Sequence, residues 1–81
     1  MKKGTLYKIS RKFHLHKTEF CNNSDEIAFI KTPSIVVYLE QSLKQPFTYK
    51  VIVGDQIGWT VMFEQWFEEL KEHHAEPKEQ A

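Results

Sequence analysis

A single cysteine, Cys21, in 81 residues leaves this chain without a disulfide of its own and without a cysteine-rich zinc site. Its three glycines are isolated from one another, so no loop can cradle a phosphate through glycine-rich backbone. No apolar run approaches the roughly 20 residues a membrane-spanning helix needs. The opening MKKGTLYKIS has lysines but no apolar stretch behind them, which is not the pattern of a secretory leader. These absences set the expectation of a reduced, cytoplasmic protein away from membranes. Net charge is also missing, with 11 basic and 11 acidic residues. What remains is 41% apolar and 14% aromatic, enough for a packed core and too much for a disordered chain. At this length a single domain buries only about 60% of its extended surface, so rings that each hide roughly 150–250 Å² carry much of the core.

The neutral total conceals an uneven layout. Residues 1–20 hold Lys2, Lys3, Lys8, Arg11, Lys12 and Lys17 against Glu19, six to one, or +5. Residues 55–81 hold seven acids against Lys71 and Lys78, or −5, and the middle cancels. Opposite ends of this kind attract one another, within one fold or across a dimer, or present one end to a charged partner.

Periodicity suggests the elements. In TLYKISRKFHLHKT, residues 5–18, Tyr7, Ile9, Phe13 and Leu15 share one parity, interrupted by Arg11, and Lys8, Ser10, Lys12, His14, His16 and Thr18 share the other, a half-buried strand. CNNSD is a turn cluster, and EIAFIK reads as a second strand joined by a hairpin. Thr32-Pro33 suits a helix start, and Ile35, Val36, Leu39 and Leu43 fall at helical spacing, which predicts a helix over about 33–44; the β-branched run Ile35-Val36-Val37 argues the other way. FTYKVIV, residues 47–53, alternates as a third strand, and Gly54-Asp55 and Gly58 punctuate a loop. Trp59, Met62, Phe63, Trp66, Phe67 and Leu70 then complete an apolar helical stripe, with Glu64, Glu68 and Glu72 opposite. The rival reading makes 57–63 a fourth strand; both keep a helix over 65–74. The fold expected is a small α+β domain in the order ββαβα, residues 1–74. Its three-stranded antiparallel sheet, four-stranded on the rival reading, carries two helices on one face. Residues 75–81 are expected to be a disordered tail.

Chemistry is sparse. Cys21 has no assignable base, and no carboxylate pair is placed for acid–base work, so an enzyme is not expected. His14 and His16 share a strand face and are the only candidates for a metal, with no third ligand and lysines beside them, so neither a metal nor a cofactor is expected. His73 and His74 suit a helix C-terminus better than a metal. The aromatic stripe is in the first place core, with Trp59 and Phe67 at its edges, beside Glu64 and Glu68, the candidates for a docking patch. The leading expectation is a non-catalytic interaction or regulatory protein that binds a protein partner or a second copy of itself, because a three-stranded sheet leaves two edges unpaired. The alternative is nucleic-acid binding through Lys8, Arg11, Lys12 and Lys17.

Overall fold

The computed structural model describes residues 1–31 and 33–70. It is all-β: β1 (Leu6–Ile9), β2 (Phe13–His16), β3 (Glu26–Ile30), β4 (Ser34–Gln41), β5 (Thr48–Val53), β6 (Gln56–Val61) and β7 (Glu68–Glu69). Two 3-10 turns, Asn23–Asp25 and Glu64–Trp66, are its only helical segments among the described residues. The strands form one sheet in the order β3-β2-β6-β5-β4-β1-β7, with every registered pair antiparallel. No described helix is long and apolar enough to cross a membrane. The expected α+β fold with two helices is therefore overturned.

Both helix expectations fail for stated reasons. The segment around 33–44 is β4, in which Val36 and Tyr38 are buried and Ile35 is exposed. The β-branched run fits a pleated strand flanked on both sides, and β4 lies between β1 and β5. The stripe from Trp59 onward is divided. Its first part is β6, matched to β5 over Thr48↔Val61 through Val53↔Gln56, as the rival strand reading had it. Gly54-Asp55 is the two-residue turn of that hairpin, with Gly54 at φ 63°, and Gly58 lies inside β6 rather than in a loop. The remainder is a single 3-10 turn and β7, not a helix over 65–74. His73, His74 and the tail 75–81 lie outside the described residues.

The strand expected over EIAFIK is β3, one residue shorter at Lys31, the strand expected over 47–53 is β5 without Phe47, and β2 and β3 form the expected hairpin. Residues 5–18 form two strands rather than one, broken at Ser10–Lys12 around the parity-breaking Arg11. That break shapes the molecule. In the sheet, β1 and β2 are separated by β4, β5 and β6. Laid flat, four strand spacings are about 19 Å, whereas the chain from Ile9 to Phe13 reaches at most about 14 Å. The sheet must coil on itself, barrel-like, and the inward parity becomes the core: Tyr7, Ile9, Phe13, Leu15, Val36, Tyr38, Tyr49, Val51, Met62 and Phe67. Gly58 marks a close approach of β6 to β2, since a Cβ there would stand 3.0 Å from the His16 carbonyl oxygen.

Candidate functional site

Phe47 precedes β5, and Phe63 follows β6. The hairpin register carries on past its ends, so that Met62 N–H donates to the Phe47 carbonyl at 2.9 Å. Phe47 has φ 55°, a left-handed conformation that costs a residue with a Cβ about 1–2 kcal/mol. The approach to it is held firmly. Ser42 Oγ accepts the N–H groups of Lys44 and Gln45 and donates to Glu19, while Thr48 Oγ1 donates to the Pro46 carbonyl. The outcome is an exposed ring, 51% accessible, set edge-to-face against Phe63, which is 47% accessible, at 5.4 Å. Phe63 meets Trp66 in the same way at 5.3 Å. Trp66 is carried by the 3-10 turn, closed by its N–H to the Phe63 carbonyl at 3.0 Å. The Arg11 guanidinium lies over its ring at 4.4 Å.

These rings separate three concavities. An apolar one of about 310 Å³ is lined by Phe47, Val61, Met62, Phe63 and Trp66. On the far side of Trp66, a polar one of about 530 Å³ is lined by Ser10, Arg11, Gln65 and Glu68. On the far side of Val61, a third of about 280 Å³ is lined by Lys12, Phe13, His14, His16, Cys21 and Thr60. Trp66 walls the first two and Val61 the first and third, so the three lie side by side as a grooved surface, and the β1–β2 link supplies residues to both polar ones.

The third concavity holds the titratable cluster. His16 Nδ1–H donates to the Asn22 carbonyl at 2.9 Å and to Asp25 at 3.0 Å. Thr18 donates to the other Asp25 oxygen at 2.7 Å, and His14 Nδ1–H donates to Glu26 at 2.9 Å. The Thr18 hydroxyl, and behind it His16, hold the Asp25 carboxyl below its usual range. Desolvation, with the Asp25 charge, pushes the Cys21 thiol up to about 11, the reverse of an activated nucleophile. The histidine rings are 6.2 Å apart, yet no three His, Cys, Asp or Glu side chains among the described residues are placed to hold a metal ion. The network ties the 17–25 turn to β2 and assembles no catalytic set.

The other residues singled out in the sequence disperse. Phe67 is buried at 7% exposure and cannot dock anything. Trp59 is half-buried on the outer sheet face, with the Lys50 ammonium 5.8 Å from its ring, outside the groove. Glu64 is exposed at the start of the 3-10 turn, and Glu68 lines the polar concavity. Lys8 lies on β1 opposite Ile35 and Glu68, and Lys17 follows β2, so only Arg11 and Lys12 meet at the groove. Among the described residues none of these four cations is in an ion pair. Phe47 and Phe63 were the residues missed. Their signal was positional: one large ring just outside each end of a hairpin.

Compared with known proteins, the chain matches no family model, no curated protein and no solved structure.

Proposed function

We propose that this chain is a non-catalytic docking module whose groove takes an extended segment of another protein, one carrying a large apolar side chain close to an acidic one. The observation that carries this is the joined set of concavities around Phe47, Phe63 and Trp66, where a strained backbone keeps a phenylalanine at the surface. Strain at an exposed ring fits a binding role better than a folding one. The apolar hollow suits one large side chain. Arg11, flattened on Trp66 and without a carboxylate partner among the described residues, offers its fork to an acidic neighbour on the segment. A nucleic acid fits less well, because Glu64 and Glu68 flank the rings and Lys8 and Lys17 do not line the groove.

Selection of random displayed peptides of about twelve residues on the immobilised chain tests the reading. Enrichment of an aromatic or leucine residue beside Asp or Glu is expected. Phe63→Ala should weaken the selected peptides about 30-fold, as loss of a central ring does, and Arg11→Glu should remove the acidic preference. Failure to enrich any peptide, or peptides that bind both variants as well as the parent chain, would overturn it. Tight, steeply salt-dependent binding of a mixed-sequence single-stranded oligonucleotide without peptide enrichment would assign the rings to base stacking instead.

A further inference from the structure

The two ends of the sheet are built differently. One ends in β7, two residues long and both acidic, which is how an edge is kept from pairing with another chain. The other ends in β3, with Ile27, Ala28, Phe29 and Ile30 in a row and no proline or charge among them. Among the described residues β3 pairs with β2 alone. Phe29 is 40% exposed on the outer face, stacked on His14 at 4.4 Å, while Ala28 and Ile30 pack inward against the core. The usual devices against pairing lie at its two ends, Glu26 with the irregularity at Ile27 on one side and Lys31 on the other, and Ala28, Phe29 and Ile30 between them are regular and uncharged.

We propose that β3 pairs antiparallel with β3 of a second copy, about a two-fold axis through Phe29. The register follows from symmetry. A two-fold axis perpendicular to a sheet keeps each side chain on its own face, and directly opposed residues share a face. Opposed residues must therefore have the same parity, and the axis must fall between one residue and its own copy. The β2–β3 register shifts between Ala28 and Glu26, which makes Ile27 the extra residue of a bulge. An axis at Ala28 would set the bulges of both copies into the pairing. An axis at Phe29 uses the regular stretch, pairing Ala28 with Ile30 of the copy and Phe29 with itself. On the outer face a row of four rings results, the two stacked His14–Phe29 pairs meeting at the axis. On the inner face the small Ala28 lies beside the larger Ile30, so each core continues across the junction. The apolar concavity at Phe47, Phe63 and Trp66 shares no residue with this edge, and His14 alone belongs both to the row of rings and to the third concavity.

Sedimentation velocity from about 10 µM to about 1 mM covers the weak range expected of a short edge pairing. A monomer–dimer equilibrium is expected, and Phe29→Lys should abolish it while the chain stays folded, because that side chain lies on the outer sheet face and gives up only its stacking on His14. In a Cys21→Ser background, oxidised Phe29→Cys should cross-link to its copy and Ala28→Cys should not. A parent chain that stays monomeric throughout overturns the proposal, as does a dimer indifferent to Phe29→Lys. Cross-linking at position 28 rather than 29 overturns the register.

Discussion

Replacing Phe67 by alanine tests how the core is organised. In a helical stripe the central ring would be Trp66; in the coiled sheet it is Phe67. That ring stands edge-to-face to Tyr49 at 5.1 Å, to Tyr7 at 5.6 Å and to Tyr38 at 6.5 Å. Tyr7, Tyr38 and Tyr49 come from β1, β4 and β5, so Phe67 joins three strands from a segment that hydrogen-bonds to only one of them. Loss of a buried phenylalanine costs about 3–5 kcal/mol. Three ring pairs, each worth about 0.5–1.5 kcal/mol beyond burial, place this one in the upper half of that range. A chain of this size is stable by roughly 4–12 kcal/mol in total, so Phe67→Ala should remove at least about a third of it. Trp66 is only partly buried and gives up mainly Phe63 and the stacked Arg11, so Trp66→Ala should cost about 1–2 kcal/mol. Urea unfolding followed by far-ultraviolet circular dichroism separates them without relying on tryptophan fluorescence. With a slope near 1 kcal/mol per molar, Phe67→Ala should lower the midpoint by about 4–5 M or leave the chain unfolded in water. A Trp66→Ala shift equal to or larger than that of Phe67→Ala would refute the reasoning.

Two smaller perturbations probe polar groups. Thr60 Oγ1 is buried in a residue 1% exposed and has no hydrogen-bond partner among the described residues, so the near-isosteric Thr60→Val should raise stability by about 1 kcal/mol in the same titration; a loss of that size would mean the hydroxyl is satisfied. Asp25 has its folded-state carboxyl pKa below the ordinary 3.8, so its contribution is fully present above that value and is lost as pH falls through the lower folded-state one. Melting temperatures from pH 6 down to about pH 2 should therefore fall less steeply in Asp25→Asn, and parallel curves would remove Asp25 as a source of acid sensitivity.

The inward parity was legible because inner and outer residues contrast where polar groups line the outside. Tyr7, Ile9, Phe13 and Leu15 alternate with Lys8, Lys12 and His14, and all four are buried. The contrast fails in β4, where outward Ile35 is about half exposed beside buried Val36 and Tyr38, and it is inverted in β6, where Ile57 and Val61 are about half exposed and Gly58 and Thr60 are buried. A strand apolar on both faces, or apolar on its exposed one, has no period of two that points to the core, and any sufficiently dense apolar run contains a helical stripe by chance. What decided these segments is the long-range pairing of β4 with β1 and β5 and of β6 with β5, which local spacing does not encode. The groove was hidden for a related reason. Phe63 sat in the stripe and was assigned to the core, and Phe47 shared the parity of Tyr49 and Val51. The left-handed turn at Phe47 reverses that expectation, and nothing in a phenylalanine preceded by proline announces it.

The opposed charges of the two chain ends also find a structural place. Antiparallel pairing of β1 with β7 sets Lys8 opposite Glu68 and Tyr7 opposite Glu69. Lys8 and Glu68 form no ion pair among the described residues, so their opposition does not hold a two-residue strand. The hold comes from Phe67, one residue earlier, buried beneath Tyr7. Basic and acidic segments therefore meet at a single edge. There the acids keep other strands away, and Glu68 closes the polar end of the groove across from Arg11. Among the described residues the two charges share one cavity without pairing with each other. The asymmetry thus meets locally, with Lys8 set opposite Glu68, while Arg11 and Lys12, on the neighbouring link, line the two polar concavities on either side of the rings.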